Sequence, residues 1–283
     1  DSLNVLENLG EILMSENRFS EAIDTYTRLQ NIYPEKLPVN LNLAESYSQL
    51  KDIDKAKKTY EIILLFDDEN YDVMIKLGEL YTNSKEYIKA EKMYNEVIKC
   101  TEPNVIAHYK LALTYGDQGK FLQAIIAFQE ALKLTPKDLE IKYQLGVAHK
   151  ELEMFDKASM YFENYIQKNN DDHIAYFLLG KCYLELNDYL AALLAFQHAN
   201  RLSSNDDRIL YNLGVCNLKL DEYEESVRKF REALKINSED ADIYYALGKA
   251  YIKLNKKKKV DGVLDILYML EPNHYESLLL LSS

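Results

Sequence analysis

A residue with little or no side chain returns every 34 positions along this sequence. Gly10, Gly78, Gly146, Gly180, Gly214 and Gly248 are separated by multiples of 34, and Ala44 and Ala112 fill the two gaps in the series. Six of the nine glycines share this phase, and a fixed period of this length marks a chain built from repeated supersecondary units. Numbered from Leu3, eight ungapped repeats cover residues 3–36, 37–70, 71–104, 105–138, 139–172, 173–206, 207–240 and 241–274 as a single array, with 275–283 starting a further helix. The seventh place is Leu in every copy, from Leu9 to Leu247. The seventeenth is large and apolar in seven copies, the twentieth is Ala in six, and the twenty-fourth is Tyr or Phe in seven, from Tyr26 to Phe230.

Inside each repeat the apolar residues fall three and four apart, as in Tyr176, Leu179, Gly180 and Tyr183, which is the spacing of an amphipathic helix. Polar turn segments such as Asn187-Asp188 divide each repeat into two helices, and Pro34, Pro103, Pro136 and Pro272 fall between repeats. A glycine inside a helix costs about 1 kcal/mol relative to alanine, so a repeated one needs a compensating contact. Small residues at places eight and twenty would let the two helices of a repeat touch backbone to backbone, with the aromatics filling space toward the next repeat. One hairpin cannot bury that surface alone, so neighbours must stack.

With Leu at seven, small residues at eight and twenty, aromatics at seventeen and twenty-four and Pro near thirty-two, the sequence closely resembles the tetratricopeptide repeat (TPR) family over residues 3 to 274. The resemblance implies an all-α fold, a right-handed superhelical solenoid of helix-turn-helix repeats whose first helices line a concave groove for partner peptides or helices. Several repeats depart from the pattern. Asn40 replaces a bulky residue, Lys142 and His149 stand at places normally apolar or aromatic, and Lys257 and Val260 replace the aromatic and the Ala of repeat eight. The family's clamp for acidic chaperone tails needs Lys, Asn and Arg on three successive first helices. Asn42 and Asn212 have no such flanks, with Glu7, Glu11, Asp72 and Lys76 around one and Phe177, Lys181, Asp242 and Ala246 around the other. The Asn ladder of sugar-transferase arrays is present only as Asn8, Asn42 and Asn212.

If first helices line the groove, places five, nine, twelve and thirteen face it. Repeats one to three then present Glu7, Glu11, Glu45 and Glu79, an acidic wall that would prefer a basic segment. From repeat four onward the fifth place becomes Tyr109, Tyr143, Phe177, Tyr211 and Tyr245. Leu113, Val147 and Val215 lie beside these rings, with Lys150, Lys181 and Lys249 interspersed. Aromatics on a partly apolar surface are the usual anchors of a partner chain, so this half is expected to take an apolar or amphipathic segment carrying some acidic residues. The same rings could instead support neighbouring helices.

The formal charge of -12 argues against nucleic acid or an anionic membrane, which call for a concentrated basic surface. The run Lys256-Lys257-Lys258-Lys259 reads as a solvated turn between helices, with docking of an acidic partner or lipid as the alternative. No apolar run is long enough to insert into a membrane. Three scattered cysteines, Cys100, Cys182 and Cys216, suit a reducing compartment and a cytoplasmic location, and read as packing residues. The absence of an initiator Met and the closing strip Leu278-Leu279-Leu280-Leu281 read as a piece of a longer protein. His108, His149, His173, His198 and His274 form no metal-ligand spacing, and no phosphate loop or nucleophile elbow is present. The expectation is a non-enzymatic interaction scaffold, with no cofactor, metal or catalytic residue, that assembles a multiprotein complex. The alternative is the substrate-recruiting arm of a larger enzyme such as a glycosyltransferase.

Overall fold

The computed structural model describes residues 2–100 and 103–282. Among them the chain forms seventeen helices. The hairpins are α1 (Ser2–Ser15) with α2 (Phe19–Ile32), α3 (Leu37–Gln49) with α4 (Ile53–Phe66), α5 (Tyr71–Asn83) with α6 (Tyr87–Cys100), and α7 (Val105–Asp117) with α8 (Phe121–Leu134). They continue with α9 (Leu139–Glu151) and α10 (Phe155–Ile166), α11 (His173–Glu185) and α12 (Tyr189–Leu202), α13 (Asp207–Lys219) and α14 (Tyr223–Ile236), and α15 (Ala241–Lys253) and α16 (Lys257–Leu270). A last helix, α17 (Pro272–Ser282), follows. The helices group into two compact units, Asp1–Lys137 and Asp138–Ser283.

Two local devices fix the hairpins. At place fifteen, between the two helices, the backbone enters the left-handed region in all eight copies: Asn17, Lys51, Lys85, Gly119, Glu153, Asn187, Asp221 and Asn255 have φ between 54° and 72°. Five of these residues are Asn, Asp or Gly, the types that tolerate this conformation best. At place thirty-four, Asn70, Asn104, Asp138, Asp172, Asp206 and Asp240 each accept a backbone N–H from the first turn of the next helix. These caps satisfy donors that a helix leaves open at its start and are worth about 1 kcal/mol each.

The repeated glycine does something other than bring two backbones together. A Cβ built on Gly10 would lie 2.5 Å from the Tyr26 ring, on Gly78 2.8 Å from Tyr94, on Gly146 2.9 Å from Phe162, and on Gly180 2.8 Å from Phe196. The glycine of place eight is the seat of the aromatic ring of place twenty-four, from the second helix of the same hairpin. Those rings are sealed, with Tyr26 and Tyr94 at 1% exposure and Phe162, Phe196 and Phe230 at 0%. The space the aromatics fill is therefore inside their own repeat as well as toward the next. In repeat eight, where Leu264 replaces the ring, the space over Gly248 is taken by Leu278 of α17. Leu278 is fully buried; the side chains of Leu280 and Leu281 lie outside the described residues.

Place seven joins repeats. Leu43, Leu77, Leu145, Leu179, Leu213 and Leu247 are each buried, whereas Leu9, on the first helix of the series, is 42% exposed. Cys182 and Cys216 are sealed in the second unit, and burial pushes their thiols up to about 11 and about 12. They behave as small core residues.

His149 is the uncomfortable core group. It occupies place eleven, where Tyr stands in five repeats, is 3% exposed, and stacks on Tyr161 with centroids 5.5 Å apart. Its Nδ1 is buried without a hydrogen-bond partner among the described residues. Burial holds its proton affinity below the usual histidine value, and the Lys157 ammonium adds to this.

Two outcomes follow for stability, both measurable by urea denaturation. Gly214→Ala drives a methyl to 2.5 Å from the fully buried Phe230 ring, and overpacking of this kind costs about 1–3 kcal/mol. Gly262→Ala, in α16 with nothing within 4 Å, gains up to about 1 kcal/mol of helix propensity, so the two changes have opposite signs. For His149, the folded chain resists a proton that the unfolded chain accepts below about pH 6.5, so stability present above that pH is lost as pH falls. His149→Phe is expected to gain on wild type between about pH 7.5 and about pH 5.5. A gain that does not change with pH would assign the effect to packing alone.

Candidate partner-binding surface

In each unit the first helices are the ones that approach their own kind: α1 meets α3 and α5 meets α7 in the first unit, and α13 meets α15 in the second. Polar bridges join the same helices: Thr82 and Thr114 hydroxyls lie 2.9 Å apart, and Ser46 Oγ lies 2.8 Å from Met14 Sδ, while Asn42 of α3 donates to the Tyr26 hydroxyl of α2 at 3.0 Å. This closely spaced inner face carries the residues of places five and nine.

In the second unit Tyr143, Phe177, Tyr211 and Tyr245 are all half-buried on successive first helices. The arrangement follows from the core beneath. Tyr143 packs edge-on to Phe162 at 5.7 Å between centroids, Phe177 on Phe196 at 5.7 Å, and Tyr211 on Phe230 at 5.8 Å. Each inner-face ring thus stands on the buried ring of place twenty-four, which is itself seated on glycine. Tyr245 has Leu264 in that position and packs against His274 of α17 instead, at 5.2 Å, while His274 bonds Asp242 at 2.8 Å. In the first unit Tyr109 repeats the contact on Phe128 at 5.7 Å.

The rings are therefore neither sealed nor free: each supports the core and keeps part of its surface exposed, and Tyr143 also packs on Tyr165 of α10 at 4.9 Å. Burial pushes the Tyr143 hydroxyl up to about 12, and burial also raises that of Tyr211, so both remain protonated donors at neutral pH. Cations lie close by. The Arg208 guanidinium sits 5.6 Å from the Phe177 centroid and the Lys249 ammonium 5.2 Å from that of Tyr245. Val147, Lys150, Lys181 and Val215 are half-buried between the rings, as is Leu113 beside Tyr109. Lys150 pairs with Glu151.

The acids of the first unit are arranged differently from a bare wall. Glu79 pairs with Lys110 of the next first helix at 2.6 Å, Glu45 with Lys76 at 3.6 Å, and Glu7 with Lys36. A lysine at place six of one repeat thus neutralises the glutamate at place nine of the one before. Sequence reading by single places missed this, although the 31-residue spacing of the two Lys–Glu pairs is visible in the sequence. Glu11 is exposed and forms no salt bridge among the described residues. Exposed pairs of this kind are worth about 0–1 kcal/mol to stability, so their main effect is on the potential a partner meets.

His108 and His198 are both lowered by burial, and no group of three His, Cys, Asp or Glu side chains able to hold a metal occurs among the described residues. No helix among them is long and apolar enough to cross a membrane.

Comparisons with known proteins place this architecture. Tetratricopeptide repeat models match residues 13–69, 71–102 and 105–138, and a TPR repeat model matches 217–255. A model of anaphase-promoting complex, cyclosome, subunit 3 matches residues 151–233. No curated protein sequence matches the chain. Among solved structures, a tetratricopeptide repeat protein from Parabacteroides merdae is 17% identical, with 88% of this chain and 98% of that chain covered and a TM-score of 0.64. The C-terminal part of a TPR repeat-containing protein from Cytophaga hutchinsonii is 14% identical over 85% of this chain and 98% of its own, with a TM-score of 0.74. YrrB, a TPR protein with an unusual peptide-binding site, is 21% identical over 64% of this chain and 93% of its own, with a TM-score of 0.58. At these identities the likeness carries the fold alone. Matched by repeat models within residues 13–138 and over 217–255 and built from stacked hairpins in each unit, the chain belongs to the tetratricopeptide repeat family.

Proposed function

We propose that this chain is an interaction scaffold whose inner face holds an apolar or amphipathic segment of a partner protein, bringing that partner into a larger complex. The observation that carries the reading is the row Tyr143, Phe177, Tyr211 and Tyr245, half-buried at one place of four successive first helices. A ring held by the core and still partly exposed loses little conformational freedom when a partner covers it, which is what makes aromatic residues effective anchors. Repetition of the anchor at each hairpin suits a segment that runs along several repeats.

Lysines interspersed among the rings favour some acidic residues in the bound segment. In the first unit the Glu–Lys pairs leave a mixed surface, so the preference for basic residues there narrows to the neighbourhood of Glu11. Tyr109, standing on Phe128, gives that unit one ring of the same kind. The reading is of the same kind as the peptide-binding site named for YrrB.

The test is capture of partners from the native source by wild type and by a Tyr143→Ala/Tyr211→Ala variant. Each anchor is worth on the order of 2 kcal/mol when covered, so a specific partner should be lost from the double variant by more than about tenfold. Helical circular dichroism must remain unchanged for this outcome to count. Loss of helicity with the two substitutions would show that the rings serve the core alone, and an unchanged partner set would remove the inner face from the interaction.

A further inference from the structure

We propose that the outer side of the last two hairpins carries a second docking site, for an acidic peptide segment that bears a bulky apolar side chain. The site is independent of the inner-face rings. It is a cleft between α14 and α16, with α15 as its floor, and it has two halves of different chemistry.

One half, about 410 Å³, is cationic: Arg228, Arg231 and Lys235 line it from α14, and Lys256 and Lys259 from the start of α16. The carboxylates in its wall are Glu224 and Glu232, and Glu232 is engaged by Lys229 at 2.8 Å. Arg228 is paired with Glu225. Among the described residues, Arg231, Lys235 and Lys256 form no ion pair. In a chain of net charge -12, these three and Lys259, likewise without an ion pair among the described residues, face one cleft and raise the local potential against the sign of the whole.

The other half, about 490 Å³, shares Arg231, Lys235 and Lys259 with the first and continues over an apolar floor of Tyr244, Leu247 and Tyr251. Its space comes from Gly262, a residue with nothing within 4 Å of where its Cβ would be. In the preceding repeat the same place holds Arg228. Lys259 lies 5.3 Å over the Tyr251 ring, joining the charged rim to the aromatic floor.

A free phosphate would leave the apolar half empty, and a flat bilayer would meet the exposed lysines without reaching the floor beneath α14 and α16. From Arg228 to Lys235 the helix advances about 10 Å, the length of about three extended residues. A short peptide with one large apolar side chain between acids matches both halves at once.

The test uses the full chain and three fluorescein-labelled synthetic peptides, read by fluorescence anisotropy. One is acidic with a central Phe-Leu pair, one has Ser-Ser in the centre, and one has its acids replaced by lysine. The first should bind, with affinity falling as salt rises, and the other two should bind at least about tenfold more weakly. Arg231→Glu with Lys235→Glu changes exposed residues only and should weaken binding by about tenfold or more. Gly262→Leu fills the apolar half while improving helix propensity, so binding should fall in a protein that melts no earlier than wild type. The proposal is overturned if the Phe-Leu peptide does not bind, or binds equally well to both variants. It is also overturned if phosphatidylserine vesicles, rather than the peptide, show the dependence on Arg231 and Lys235. Sedimentation showing self-association that the same substitutions abolish would assign the cleft to a second copy of this chain and likewise overturn it.

Discussion

An aromatic ring pressed close against a glycine is the contact on which the rest of this molecule depends. Where place eight is glycine, the missing Cβ leaves room for the ring of place twenty-four to press against the first helix, and that ring is sealed from solvent; over Ala44 and Ala112 the rings Tyr60 and Phe128 are buried as well. The helix loses about 1 kcal/mol of propensity at each such glycine, against an aromatic burial worth roughly 2–3 kcal/mol, so the exchange is favourable. Because the seat is repeated, it also sets where everything above it stands. The inner-face rings rest on the buried ones at 5.7 to 5.8 Å, and their half-exposure is a consequence of the core rather than a separate feature.

Repeat eight shows what happens when the ring is missing. Leu264 cannot cover Gly248, and α17 folds back to do so with Leu278, bringing His274 against Tyr245. The same repeat has Gly262 on its second helix and lysines at its start, so the outer cleft opens where the pattern is weakest. Departures from a repeat consensus concentrate here. The residues that stop serving the stack are the ones free to carry a local chemistry.

Much of the fold was legible because it is periodic. A period of 34, two helical stripes per period and prolines between them are enough to fix helix number and the faces that pack. The role of the glycine was not legible, since spacing shows that a small residue is required and says nothing of what approaches it. The pairing of Glu79 with Lys110 and of Glu45 with Lys76 was hidden for a related reason: each charge was read on its own helix, and the partner lies one repeat away. The left-handed residue at place fifteen was obscured because Lys51, Lys85 and Glu153 occupy it alongside Asn, Asp and Gly, the backbone there being imposed by the packed hairpin.

Charge neutralisation along the first unit bears on how a chain this acidic can hold a partner at all. Long-range repulsion at net charge -12 falls off within about 8 Å at physiological salt, so a bound segment responds to the residues it touches rather than to the total. On the inner face those residues are aromatic rings with lysines or an arginine beside them in the second unit, and paired glutamates in the first. Pairing of this kind leaves the few charges without an ion pair among the described residues, such as Glu11 in the first unit, to set the local potential of that face.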